Sequence, residues 1–231
     1  MNAVSHTAFR LAILALAVVL ALQCFWLVLP QLLRPAVDRL PTDASAAATT
    51  AKMRSAAAWA ATIGIIRGDL WAESAYTYSD LLWGNADLNG DRAQALQRAR
   101  ARLDRALRDA PHQSSAWLFR AALGLRYPSN DINPVESIRM SYYTGPSEQD
   151  LMPLRLRMVM HLNIAGDVEI RQLASRDLRS LIARKQIAEI AAAYSDASPA
   201  GKSFIEQAVR DIDPAMTQLL RSGANQLSVP N

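Results

Sequence analysis

The chain has 231 residues, with 25 lysines and arginines against 21 aspartates and glutamates, and it contains one cysteine. This length is sufficient for one or two domains whose hydrophobic core needs no cross-links. The single cysteine, Cys24, excludes an internal disulfide framework and any metal site built from several cysteines. The net charge of +4 is small and comes almost wholly from arginine, which is not typical of a nucleic-acid-binding surface.

The segment Leu11–Leu29 is almost entirely apolar, with Gln23 as its one polar side chain. As a helix it would be about 28 Å long, close to the thickness of the hydrocarbon core of a bilayer. Trp26 lies near its distal end, where interfacial aromatic residues are common. Because the apolar run continues past any suitable signal-peptidase site, we predict an uncleaved anchor over residues 11–33 in preference to a signal peptide.

Arginines flank this anchor on both sides, at Arg10 and at Arg34 and Arg39, so the positive-inside rule leaves its orientation nearly balanced. A short tail before the anchor, residues 1–10, is the usual arrangement in proteins whose large domain is exported. We therefore expect a single-pass protein of the bacterial inner membrane with a periplasmic domain. Residues 34–51 are rich in small side chains and are predicted to be a flexible linker.

Residues 52–231 are predicted to be helical throughout, because apolar side chains recur at intervals of three and four. Over Asp91–Ala110 they form one stripe, with Asp91 and Gln94 at capping-box spacing and Pro111 as the stop. Further helix starts are predicted at Asn133-Pro134, Ser147–Asp150, Ser198-Pro199 and Asp213-Pro214, and further stripes at Leu151, Leu154, Met158 and Leu162 and at Ile170, Leu173, Leu178 and Leu181. The predicted fold class is all-α, with stacked helical hairpins after one transmembrane helix.

Two predicted helix ends share a pattern of small and large side chains followed by proline. They are Leu103, Ala106, Leu107, Ala110 and Pro111, and Ile138, Ser141, Tyr142, Gly145 and Pro146. Their separation of about 35 residues resembles that of a degenerate tetratricopeptide repeat (TPR), whose hairpins recur about every 34 residues. The first-helix positions of that repeat are matched by Trp71, Ala75 and Tyr78, and by Trp117 and Ala121. The resemblance covers about residues 69–165 and implies a right-handed TPR-like solenoid, with 166–231 as capping helices.

A second resemblance concerns Ser141–Pro146 and Leu151–Leu156. These segments are similar to parts of small membrane-anchored helical proteins of bacterial exopolysaccharide assembly. This resemblance implies an accessory role in a polysaccharide synthesis or export complex.

Arginines concentrate on the helix predicted over Asp91–Ala110, and several of them share one face. This face is either a solvated surface or a docking strip for an acidic partner, an anionic polysaccharide or phospholipid headgroups. Aromatic side chains further along the chain are candidates for lining a groove, with core packing as the alternative. The candidate partner-binding residues are Arg98, Arg102, Arg105, Trp117, Tyr142 and Tyr143.

The sequence predicts no catalytic, cofactor-binding or metal-binding site. His6, His112 and His161 lack a second ligand at metal-binding spacing, and Asp87–Asp91 opens like a calcium loop but has Arg92 where the loop needs glycine. We therefore predict a non-catalytic, membrane-anchored scaffold or adaptor that binds another envelope protein and no nucleic acid. The alternatives are the polysaccharide accessory role and, with less support, a helical glycan-acting enzyme whose site forms from distant residues.

Overall fold

The computed structural model describes residues 3–41, 43–84, 87–162 and 167–212. These residues form eleven α-helices, two short 3-10 helices and no strand, which confirms the all-α fold class. The α-helices are α1 (Ala3–Leu33), α2 (Ala44–Lys52), α3 (Arg54–Ile63), α4 (Gly68–Tyr76), α5 (Gly90–Asp109), α6 (Ser114–Arg126), α7 (Pro134–Thr144), α8 (Met152–His161), α9 (Val168–Ala183), α10 (Ile187–Ser195) and α11 (Pro199–Ile212), and the 3-10 helices are Ser79–Leu82 and Gln149–Leu151. Contacts divide the chain into a first unit, Met1–Ala116, and a second unit, Trp117–Asn231.

Helix α1 is, within the described ranges, the one helix long and apolar enough to cross a membrane. Its apolar stretch, Phe9–Leu33, has a mean hydropathy of 2.7, and none of its most apolar window is buried by the rest of the chain. Exposing so many large apolar side chains to water is unfavourable, which is why such a helix favours a lipid environment. Near its end Pro30 is buried, because there the helix meets the first unit.

The predicted flexible linker contains a helix, α2. Asp43 caps it, since its carboxylate accepts hydrogen bonds from the N–H groups of Ser45 and Ala46, both at 2.8 Å. These bonds lower the pKa of the Asp43 carboxyl group. Ala47 and Thr50 are buried on the side of α2 that contacts the 3-10 helix Ser79–Leu82. The alanine-rich composition, taken as a sign of flexibility, here supports a packed helix.

Helices α3, α4 and α5 form the body of the first unit, with α4 in contact with both of the others. Helices α4 and α5 run antiparallel, because Gly68 at the start of α4 lies against Ala106 and Ala110, while Ser74 near its end contacts Arg102. Small side chains permit this close approach. A Cβ atom on Gly68 would lie 2.7 Å from the carbonyl oxygen of Ala106 and 2.8 Å from the backbone nitrogen of Ala110.

Replacing Gly68 with alanine should therefore destabilise the first unit by about 1–3 kcal/mol, because the added methyl group would meet backbone atoms that cannot move away cheaply. Gly90→Ala is the matched control, since nothing lies within 4 Å of a Cβ atom at Gly90. Hydrogen exchange of α4 and α5 in the full chain would measure the difference. Equal protection in the two variants would contradict the close approach.

Helix α8 of the second unit contacts α9, α10 and α11. Ser198 fixes the start of α11, because its N–H and its hydroxyl group both donate to the carbonyl oxygen of Met160, each at 3.0 Å. Gly201 allows the helices to approach, since a Cβ atom there would lie 2.5 Å from the same oxygen. The side chains of Leu156 and Val159 complete a dry contact with the neighbouring helices.

Two of the predicted helix starts are confirmed in detail. The side chain of Asn133 caps α7 and Pro134 is its first residue, which suits proline because that position needs no donor. The Ser198 hydroxyl group accepts a hydrogen bond from the N–H of Gly201 at 3.2 Å and so caps α11.

The N-cap of helix α5 lies two residues earlier than predicted. Its N-cap is Asn89, whose side-chain oxygen accepts a hydrogen bond from the N–H of Arg92 at 3.0 Å, and not Asp91. The Ser147–Asp150 region leads into a 3-10 turn before α8 begins. The start predicted at Asp213-Pro214 lies outside the described residues.

Candidate functional site

The arginines predicted to share a face of α5 have different environments in the structure. Arg98 is exposed and, within the described ranges, makes no hydrogen bond or ion pair. Arg108, near the end of the same helix, is also exposed and has no such partner among the described residues. The side chains of Arg102 and Arg105, by contrast, form hydrogen bonds with α4 and with the turn before it. Part of the predicted docking strip is therefore engaged within the molecule.

Arg102 packs against the end of α4 and the segment that follows it. It donates to the hydroxyl group of Ser74, and its guanidinium carbon lies 5.1 Å from the ring centre of Tyr78. The guanidinium carbon of Arg54 lies 4.1 Å from the same ring centre, and Arg54 also donates to Asp80 at 2.8 Å. Burial lowers the pKa of Arg102. The two cation–π contacts stabilise the first unit and leave little of Arg102 for a partner.

Arg105 is held by three contacts within the first unit. Its Nε donates to the carboxylate of Asp109 at 2.8 Å, one helical turn away. Its Nη2 donates to the carbonyl oxygen of Ile65 at 3.2 Å, and its guanidinium carbon lies 5.7 Å from the ring centre of Trp71. This side chain therefore joins α5 to the turn between α3 and α4.

The aromatic candidates lie in the second unit, at different depths. Tyr142 is 2% exposed and belongs to the core, whereas its neighbour Tyr143 is 53% exposed. The Tyr143 hydroxyl group donates to the carboxylate of Glu169, and this bond raises the pKa of the tyrosine. Trp117 is half-buried, with the guanidinium carbon of Arg120 at 5.9 Å from its ring centre. Tyr142 and Tyr143 therefore do not line one surface groove together.

The distal end of α1 is joined to the first unit by an ion pair. The Arg34 Nε lies 2.8 Å and 3.0 Å from the two carboxylate oxygens of Glu73 on α4. The Glu73 side chain is 12% exposed, and its hydrogen bond raises the pKa of Arg34. An arginine fork on a nearly buried carboxylate fixes direction as well as distance. The ion pair therefore couples the end of the apolar helix to α4 within the first unit.

The second unit contains a buried polar cluster that the sequence did not reveal, formed by Tyr142, Arg155 and Asp177. Arg155 is fully buried, and its guanidinium group donates to the hydroxyl group of Ser141 at 3.0 Å and to the carbonyl oxygens of Ser141 and Gly145 at 2.6 and 2.9 Å. It also lies 4.9 Å from the ring centre of Tyr142. This network joins α7 to α8.

Asp177 on α9 is 1% exposed and faces this cluster. Neither of its carboxylate oxygens has a hydrogen bond of normal geometry within the described part of the chain, although the charge of Arg155 stabilises it. Burial raises the pKa of the Asp177 carboxyl group to about 6, and Arg155 and Tyr142 oppose that rise. Burial also raises the pKa of Tyr142 and lowers that of Arg155. A buried carboxyl group with this pKa changes its charge close to neutral pH.

The sequence held one signal of this cluster. The buried face of α8 consists of Met152, Arg155, Leu156, Val159 and Met160. The predicted stripe used Leu154 and Met158 instead, and both are only half-buried. Arg155 and Asp177 each lie on the apolar stripe of their helix, and a charged residue in such a position indicates a buried partner.

Over the described ranges, no group of three or more His, Cys, Asp or Glu side chains is arranged to hold a metal ion. Comparison with protein-family models, with curated proteins and with solved structures finds no match to the chain. The features of the described residues that bear on function are the apolar helix, the ion pair that couples its end to α4, and the surface of α5.

Proposed function

We propose that the chain is a single-pass, membrane-anchored adaptor that binds another protein of the bacterial cell envelope and has no catalytic activity. The observation that supports this most directly is the ion pair between Arg34 and Glu73. It couples an exposed apolar helix to a folded unit. With α1 in the membrane, the first unit would lie at the membrane surface in a defined orientation.

We also propose that α4 and α5 pack as a TPR-like hairpin. Both helices carry small buried residues, Gly68, Ala72 and Ala75 on α4 and Ala99 and Ala106 on α5, and Gly68 lies directly against Ala106. The larger Leu70 and Leu103 are buried next to them. In a tetratricopeptide repeat, small side chains let two antiparallel helices approach closely, and larger side chains fill the space beside them.

The exposed side of α5 is the proposed partner-binding surface. Arg98 and Arg108 lie on it about 15 Å apart along the helix. Because Arg102 and Arg105 are engaged within the first unit, these two arginines are the cations that α5 offers to an acidic partner. Arginine suits this role because its planar fork binds carboxylates in a fixed geometry.

Photo-crosslinking in native membranes tests this proposal. A crosslinking amino acid in place of Arg98 should give a discrete adduct with one membrane-associated protein, and Arg108→Glu should reduce it several-fold. The matched control places the same group at Gln172, which is exposed on α9. Equal adducts at both positions would contradict the proposal. Salt-sensitive retention on an anionic polysaccharide without a protein adduct would support the polysaccharide accessory role instead.

We propose that the helical domain is periplasmic. Alkaline phosphatase fused to the C-terminus should then be active, and a fluorescent protein fused at the same point should remain dark. The opposite pair of results would place the domain in the cytoplasm and would direct the search to a cytoplasmic partner.

A further inference from the structure

We propose that the turn between α3 and α4 enters the lipid headgroup region beside α1, so that the first unit contacts the membrane at a second point. The contact surface is Trp59, Ile65 and Ile66, which we call the turn patch. Its ligand is the lipid surface of the membrane that α1 crosses. The inference rests on the proposed function, because it requires α1 to span that membrane.

A hydrogen bond fixes the position of the turn along α1. The indole Nε1 of Trp26 donates to the carbonyl oxygen of Ile63 at 3.1 Å. Trp26 precedes Leu33, the last residue of α1, by about 10 Å of helix. The apolar stretch of 25 residues is about 37 Å long, longer than the hydrocarbon core of about 30 Å. A core of about 30 Å that starts at Phe9 ends near Leu29, so Trp26 and the turn beside it lie within about 5 Å of the hydrocarbon boundary.

Large apolar side chains are exposed in the turn and on the helix that precedes it. Trp59 is 66% exposed, Ile65 is 51% exposed and Ile66 is 67% exposed. In the described part of the first unit outside α1, the other large apolar side chain with comparable exposure is Leu88. Exposed apolar groups are therefore concentrated beside the anchor, where lipid would cover them. Tryptophan is typical of this depth, because its ring is apolar and its N–H is polar.

The backbone of the turn already has hydrogen-bond donors from within the protein. The carbonyl oxygen of Ile65 accepts from the indole Nε1 of Trp71 at 3.0 Å and from Arg105 Nη2 at 3.2 Å. The carbonyl oxygen of Gly64 accepts from the N–H of Arg67 at 2.6 Å. A turn near the hydrocarbon boundary needs such partners, since lipid tails offer none.

Two arginines lie next to the turn patch, and each is paired with a carboxylate of the protein. Arg67 follows the patch directly and pairs with Asp69, and Arg105 contacts its backbone and pairs with Asp109. The groups that the turn patch offers to lipid are therefore its apolar side chains.

Site-directed fluorescence in vesicles tests the proposal. In a Cys24→Ser background, an environment-sensitive fluorophore is attached to the full chain through Ile66→Cys, Gln94→Cys or Leu20→Cys. Each variant is reconstituted in phosphatidylethanolamine–phosphatidylglycerol vesicles. Some vesicles carry a spin-labelled lipid quencher near the top of the acyl chain. Gln94 is exposed at the opposite end of α5 from the turn, and Leu20 lies within the anchor.

We expect the probe at Ile66 to be blue-shifted and quenched several-fold more than the probe at Gln94. A blue-shifted probe at Leu20 with no difference between Ile66 and Gln94 would overturn the proposal and leave the anchor intact. Exclusion of Leu20 from the lipid would overturn the anchor and the second contact together. Circular dichroism of each labelled variant confirms that the helices are formed.

Discussion

Replacing Arg155 with methionine should destabilise the second unit by about 3–5 kcal/mol. Methionine has a similar length and packs well, so the cost comes from the charge that is lost. The Asp177 carboxylate, 1% exposed, would have no buried cation beside it. The carbonyl oxygens of Ser141 and Gly145 would also lose their guanidinium donor. Hydrogen exchange of α7, α8 and α9 in the detergent-solubilised chain measures this loss locally.

Arg157→Met is the matched control, on the same helix two positions away. Arg157 forms an ion pair with Asp196, and both side chains are partly exposed. Its loss should therefore cost no more than about 1 kcal/mol. In an Asp177→Asn background, Arg155→Met should cost clearly less than in the natural chain, since no carboxylate is then left unpaired. Equal costs in the two backgrounds would show that Arg155 does not act through Asp177.

Replacing Asp177 with asparagine should remove a pH dependence of the second unit. The pKa of this carboxyl group is about 6 in the folded chain, against about 3.9 in an unfolded one. The folded state therefore binds the proton more tightly. Protonation of Asp177 stabilises the second unit at low pH, and this contribution is lost as the pH rises through about 6. Between about pH 7.5 and about pH 4.5 the gain amounts to about 2 kcal/mol.

The quantity to measure is the difference in stability between the natural chain and Asp177→Asn across that range. Urea unfolding followed by a probe in the second unit gives it directly, because titrations elsewhere affect both chains equally. We expect the difference to shift in favour of the natural chain as the pH falls. Parallel profiles for the two chains would contradict the raised pKa of Asp177.

Helix content and several helix starts were predictable because they depend on local chemistry. Asn133-Pro134 and Ser198-Pro199 carry their capping groups in the sequence itself, and the apolar character of α1 follows from composition. Within the predicted linker, residues 34–51, residues 44–51 belong to α2. Small residues suit a flexible linker or a helix, and the Asp43 cap with tertiary packing selects the helix.

The surface of α5 and the core of α8 could not be derived from periodicity. A helical wheel places Arg98, Arg102 and Arg105 together, but it does not show that long arginine side chains fold back onto Tyr78 or Ile65. An argument from periodicity also treats Arg155 as a polar, exposed residue. The buried face of α8 is therefore predicted on the wrong side of Arg155. The free-energy cost of burying a charged side chain is offset only where tertiary contacts supply its hydrogen-bond and ionic partners.

The segment after α1 has a mechanical consequence. A free chain over residues 34–51 would have an end-to-end distance of about 23 Å, and the folded unit could move over that range. In the structure α2 forms part of the predicted linker, and Arg34 forms an ion pair with Glu73. If α1 spans a membrane, as we propose, these contacts would hold α5 at a set height above the bilayer. A protein partner would then have to present its binding surface at that height.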